Sequence, residues 1–340
     1  MRKNVWCLFV AIGITLVSGA SASAQEPFYK GKTIRIIVGL SPGGGYDTYS
    51  RLIARHMGRQ IPGNPTIIVE NMTGAASRIA ANHIYKVAKP DGLTIGHFLG
   101  TLFTQQLLEK PGIEFDAGKF EYIGVPAQDH YTLGLSRATG ITSVEQLMAS
   151  KTPVKIGGVG VGSPTDDIPR ILVATIGLPV QLVAGYKGTA DIRLAFNSGE
   201  VHGVFNSWES FKATWRRERE AGEVNMILQG SGKSHPEIPQ IPLAISFAKT
   251  DEARKLIQAA IHPIPATARP YVLPPGTPKE RVLLVRRAFM DTMKDPEFLA
   301  EAQKAKLDIN PVDGAELERS VKDLFSLEPA LVAKLKEILK

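Results

Sequence analysis

The sequence predicts an α/β chain built as two lobes, and three observations carry that reading. Short apolar, β-branched runs alternate with segments of helical periodicity. Two glycine-rich turns, at 43–45 and 157–162, each lead from a buried strand into a helix. The strand and helix rhythm that begins at Ile34 begins again at Phe120.

Ile34, Ile36, Ile37 and Val38 form the first buried strand, which stops at Pro42 and Gly43-Gly44-Gly45. Tyr49, Leu52, Ile53, His56 and Met57 then recur at helical spacing. Three glycines let the backbone approach a bound group closely, and the new helix points unpaired N–H groups and the positive end of its dipole there. Such a turn favours an anion or a carbonyl oxygen. Taken alone, it is equally a tight strand-to-helix connection with no ligand.

Thr66 to Val69 is the next strand, ending at Glu70-Asn71, and Thr73-Gly74-Ala75-Ala76 opens a helix through Tyr85. Pro90-Asp91-Gly92 is a turn before the strand Leu93 to Phe98. This βαβαβ order predicts a parallel sheet with helices on both faces and ligands at the carboxyl ends of its strands. The triple-glycine turn and Gly100-Thr101 both lie at that edge.

From Phe120, Tyr122 to Val125 and Thr132 to Leu135 read as strands, Ser143 to Met148 as a helix and Val154 to Gly157 as a strand. The loop from Gly157 to Thr165 follows, with Ser163 as N-cap, Pro164 at the first helical position and Asp166 completing a capping box. Val180 to Val183 is a strand, Gly185-Tyr186-Lys187-Gly188-Thr189 a polar loop, Asp191 to Phe196 a helix and Val201 to Phe205 a strand before Asn206-Ser207-Trp208. The tail adds helices at 252–261, 278–293, 296–304 and from Ala315 to the end.

Arg2 and Lys3, the apolar run Val5 to Val17 and Ala22-Ser23-Ala24 make a secretory leader, with cleavage expected after Ala24. Cys7, the one cysteine, lies inside it, so the exported chain has neither disulfide nor thiolate metal site. The formal net charge is +7, of which Arg2 and Lys3 contribute two. The remaining charges are scattered, without the basic, aromatic-studded block that nucleic-acid binding requires. Arg216, Arg217 and Arg219 alternate with Glu218 and Glu220 as a solvated helix face.

Motifs of catalysis fail on inspection. Gly39-Leu40-Ser41-Pro42-Gly43 fits the nucleophile elbow, but the residue after its serine must donate a backbone N–H, and Pro42 has none. Gly230-Ser231-Gly232-Lys233-Ser234 has Ile227 at the leading glycine of a P-loop. Glycines 158, 160 and 162 place Ser163 where a dinucleotide fingerprint needs its third glycine. The seven histidines never take metal-ligand spacing. Asp166 and Asp167, adjacent in a first helical turn, read as capping groups. What survives is two domains, each with a glycine-rich helix N-terminus and no catalytic set, the construction of a venus-flytrap binding protein.

The segments YKGKTIRIIVGLSPGGGYD, VENMTGAA, PDGLTIG, GVGVGSPT, GYKGTADIRLAFNSGEVHGVF and LPPGTPKE occur in the order of the Bug-type solute receptors of the tripartite tricarboxylate transporters, which the chain resembles over nearly its whole exported length. The resemblance implies a type II periplasmic-binding-protein fold, with lobe one from 25–127 plus 236–340 and lobe two from 128–235. It implies a periplasmic receptor that hands a small carboxylate to membrane permease subunits, acts as a monomer and carries no cofactor. Gly162, Ser163 and Thr165 would then take one carboxylate, supported by Tyr186, Gly188 and Thr189. Gly43, Gly44, Gly45 and Asp47 would face it, with Asp47 accepting from water or a ligand hydroxyl, and Thr101 nearby. Asn206 and Trp208 would line the cleft.

The chain departs from the family pattern at Tyr46, where a threonine is usual, and at Asp166 and Asp167, which bring negative charge to the proposed anion site. Between Ser231 and Ile245 it also lacks the usual proline-threonine segment. Tyr46 and Trp208 favour an aromatic or longer acid. A hydrolase using Ser41 and a sensor that presents the same ligand to a signalling partner are the other readings.

Overall fold

The structure, a computed structural model, describes residues 26–340, so the expected leader at 1–24 lies outside the described residues. The strands are β1 (Thr33–Val38), β2 (Thr66–Asn71), β3 (Thr94–His97), β4 (Glu121–Val125), β5 (Tyr131–Ser136), β6 (Val154–Gly158), β7 (Val180–Ala184), β8 (Gly203–Ser207), β9 (Val224–Gln229), β10 (Tyr271–Leu273) and β11 (Val312–Asp313). They form two sheets, one ordered β11-β4-β10-β3-β1-β2 and the other β7-β6-β8-β5-β9.

β1 runs parallel to β2 and β3, as the βαβαβ order predicts. Ile34, Ile36, Ile37 and Val38 are all fully buried, so both faces of this strand are covered. The second sheet is parallel at β6 to β7 and β8, while β5 runs antiparallel to β8 and β9. β10 inserts antiparallel between β3 and β4, and β11 pairs with β4. The returning chain therefore completes the first sheet from within. β10 and β11 are three and two residues long, too short for a period-2 pattern to announce them.

The expected partition is narrower in the structure. Gln229 bridges Leu243, extending the edge of the second sheet past residue 236. Helix Asp251–Ala260 packs on helix Pro164–Ile176, and helix Pro329–Ile338 packs on both. Leu256, Ile257, Leu335 and Leu339 share a core cluster with Ile156 and Leu172 of the second lobe. The apolar stripe of each tail helix needs a sheet to cover it, and sequence alone does not say which sheet. The final helix expected from Ala315 is two, Gly314–Leu324 and Pro329–Ile338, because Pro329 begins a new one.

The chain crosses between the sheets near 126–130 and again before β10. Arg269 Nε donates to Asp129 Oδ1 at 2.6 Å, with both side chains 1% exposed, so one ion pair ties the two crossings. Arg269 Nη2 also donates to the hydroxyls of Ser207 (3.0 Å) and Ser210 (2.8 Å) in lobe two. The rings of Tyr46 and Tyr49 lie 4.7 and 4.8 Å from its guanidinium carbon.

Candidate functional site

The loops after the carboxyl ends of β1 and β3 meet the loops after β6 and β7. Ser41 N–H donates to the Lys187 carbonyl at 3.1 Å, and Thr101 Oγ1 donates to the Gly162 carbonyl at 2.5 Å. Gln105 Nε2 donates to Asp167 Oδ2 at 3.0 Å. These three bonds join one lobe to the other.

The glycines singled out in the sequence owe their identity largely to this approach. A Cβ on Gly188 would lie 2.4 Å from Ser41 Oγ, one on Gly44 3.1 Å from Thr189 Oγ1, and one on Gly45 2.2 Å from Ser210 Oγ. Gly43 alone of its three has a left-handed backbone, at φ +78°.

Asp47 does not reach outward. Its carboxylate accepts from Gly43 N–H (2.9 Å), Arg51 Nε (2.9 Å) and Asn71 Nδ2 (3.0 Å). Burial works against its charge, yet the bonds from Arg51, Gly43 and Asn71 hold the carboxyl below its ordinary range. Asp47 thus fixes the shape of the glycine loop rather than awaiting a ligand hydroxyl. Tyr46 is buried, donates its hydroxyl to the Ala268 carbonyl and stacks on His97 at 4.7 Å. It braces the crossing segment instead of rimming the cleft.

The loop of lobe two also differs from expectation. Gly162 N–H, expected to hold a ligand carboxylate, donates to Asp167 Oδ1 at 2.9 Å, and Gly160 N–H donates to Asp166 Oδ2 at 2.8 Å. Thr165 Oγ1 accepts from Val159 N–H, and Ser163 Oγ donates to the Gly160 carbonyl at 2.7 Å. Ser163 is the N-cap residue but makes no side-chain cap, and Asp166 bonds to Gly160 rather than closing a capping box. Two of the chain's own carboxylates therefore occupy the anion cradle. Burial raises the Asp166 carboxyl, and burial raises Asp167 to about 7.

Tyr186 donates its hydroxyl to Glu200 (2.5 Å), with its ring partly buried against the core rather than bonded to the facing loop. Trp208 donates its indole N–H to Glu237 (2.7 Å) and lines an open groove of about 980 Å³ together with Lys212, Arg219 and Asp308. Lys212 there already pairs with Glu237 and Asp308, and the Arg219 guanidinium lies over the Trp208 ring at 4.4 Å.

Among the described residues, the buried polar atoms without a partner around the crossing and the facing loops include Ser41 Oγ, Asn206 Nδ2, Asp166 Oδ1, His97 Nε2 and Arg269 Nη1. An orphaned buried polar atom costs about 1–3 kcal/mol, so each of these is a contact that a polar guest could satisfy. Ser41, lacking any base within hydrogen-bond reach, is not an activated nucleophile. Gln105, Asp129, Arg269 and Ser210 escaped the sequence reading because each is a lone polar residue with no motif around it.

No family model matches the chain. Its relatives include a UPF0065 protein from the gbd 5′ region of Cupriavidus necator, 23% identical over 347 residues, covering 98% of this chain and 96% of that protein. Another, from the TAR-I ttuE-ttuC′ intergenic region of Agrobacterium vitis, is 26% identical over 195 residues, 53% of this chain and only 52% of the relative. Among solved structures, the periplasmic binding protein BugD superposes with a TM-score of 0.72 at 20% identity, covering 91% of this chain and 98% of its own. Rpa4515 of R. palustris with adipate gives 0.71 at 19% identity, covering 90% and 98%. MatC from Rhodopseudomonas palustris with bound malate gives 0.67 at 17%, covering 91% and 99%. The chain is a homologue of the UPF0065 proteins and has the two-lobed fold of the Bug-type binding proteins.

Proposed function

We propose that this UPF0065 homologue is a periplasmic receptor that captures a small carboxylate between its lobes and delivers it to permease subunits of the tripartite tricarboxylate type, without catalysis. The observation that carries the reading is the junction of the two loops: Ser41 N–H meets the Lys187 carbonyl while Ser41 Oγ and Asn206 Nδ2 stay buried and unpaired. A guest that bridges both lobes stabilises their contact, which is how a solute drives closure. The carboxylate is received by the unpaired donors Ser41 Oγ and Asn206 Nδ2, since Asp167 already holds Gly162 N–H.

The adipate and malate bound by the two fold relatives support a carboxylate guest, and the leader expected at 1–24 supports export. Isothermal titration of the exported chain with C4 to C8 mono- and dicarboxylates and amino acids tests the reading. Saturable binding at one site per chain is the expected result, and heat of dilution throughout the series would refute it.

A further inference from the structure

We infer that the seam between the lobes holds a second site, apart from the facing loops, which takes a small neutral alcohol with an apolar body and couples its occupancy to the approach of the lobes.

Helix Thr101–Leu107 of the first lobe lies along this seam. Thr101 Oγ1 and Gln105 Nε2 reach the second lobe, and Leu108, just past the helix end, joins the second lobe's core cluster with Leu335 and Leu339. Lys110 Nζ donates to the Leu339 carbonyl at 2.6 Å, and Lys336 pairs with Glu109. The last helix, Pro329–Ile338, packs on the second lobe and is thereby fastened to the first as well.

Between these helices lies a cavity of about 240 Å³. Thr101, Thr104, Ser320 and Leu324 wall it from the first lobe, and Ala259, Ala260 and Leu335 from helices packed on the second. The facing loops at 41–47, 160–165 and 186–189 do not line it. An apolar cavity of ~150 Å³ already stays dry and admits a benzene-sized guest.

The lining sets the chemistry. The hydroxyls of Thr101, Thr267 and Ser320 are spent inside the protein, on the carbonyls of Gly162 (2.5 Å), Ile264 (3.4 Å) and Glu316 (3.1 Å). That leaves the Thr104 hydroxyl for a guest to meet. Asp323 is the one charged residue among the described residues of the wall, and it is exposed. A carboxylate would enter an apolar cavity with no cation to receive it and this acid beside it, whereas an alcohol can donate to Asp323. Being exposed, Asp323 would hold a cation only weakly. Because the walls belong to both lobes, a guest bound here favours the arrangement in which the lobes stand together.

Equilibrium dialysis of the exported chain with 1-hexanol tests the site. Saturable binding at or below roughly 1 mM is expected, with displacement by benzyl alcohol and none by hexanoate. Ala260→Leu and Thr104→Leu fill the cavity, and each should weaken hexanol binding at least about 10-fold with the circular dichroism unchanged. Gln105 does not line the cavity, yet Gln105→Ala should weaken hexanol at least about 3-fold by loosening the lobes. No saturable binding, displacement by hexanoate, or full binding by the folded filling variants overturns the site. Full binding by Gln105→Ala overturns the coupling to the lobes and leaves the site standing. If one filling variant does not fold, the other decides. Titration with acids tests the carboxylate reading separately, so the two readings fail independently.

Discussion

Gln105 of the first lobe donates to Asp167 of the second at 3.0 Å, both side chains being 3% exposed. The bond exists only while the lobes are together, and on opening each partner returns to water. Gln105→Ala leaves a buried carboxylate oxygen without its donor in the closed form alone. Solute affinity should fall roughly 10- to 100-fold by calorimetry, whereas unfolding of the ligand-free chain should hardly change.

Asp167 also sets a pH dependence. Burial raises its carboxyl in the folded chain to about 7, above the ordinary value of 3.8. Between those values the folded form binds more protons than the unfolded one, so stability is full below about 4 and declines as pH rises towards and through 7. Asp167→Asn should flatten this slope. At pH 8 the variant should be the more stable by on the order of 1–3 kcal/mol, and near pH 4 about equal. Denaturant midpoints across that range, taken with saturating solute so that the lobes stay closed, check the sign.

The Arg269–Asp129 pair holds the crossings together. Removing Asp129 strands a guanidinium that is 1% exposed, so Asp129→Ala should cost about 3–5 kcal/mol in urea unfolding. Adding Arg269→Met should recover part of that loss, because the stranded charge, more than the missing attraction, accounts for the cost.

Gly188→Ala separates closure from folding. The backbone there is extended, at φ 174°, and any residue adopts it, but the new methyl would sit 2.4 Å from Ser41 Oγ and 3.0 Å from Ser41 N. Ligand affinity should drop at least about 10-fold. The melting temperature of the ligand-free chain should move by less than the equivalent of about 1 kcal/mol.

Much of the fold was legible because the burial of β1, the parallel order of its neighbours and the two glycine turns all follow from local pattern. β9 was not, because Asn225 and Gln229 interrupt its apolar residues at the edge of the sheet. At the site, the loops were legible and the bonds within them were not. Gly43 to Gly45 and Gly188 do face one another, yet Asp47, Asp166 and Asp167 spend their oxygens mainly on backbone N–H groups and neighbouring side chains. Which acceptor a given N–H chooses depends on loop geometry that spacing does not encode. Trp208 and Tyr186 were assigned to the cleft by their place in sequence, and Glu237 and Glu200 draw them away from it.

The most direct test is a thermal-shift series of the exported chain with carboxylic acids, amino acids and their methyl esters. A solute at 100 times its dissociation constant adds about 2.7 kcal/mol to stability, a shift easily measured. The account predicts that acids of one class raise the melting temperature and that their esters do not. A shift produced by the esters alone, or by no compound in the series, would contradict it.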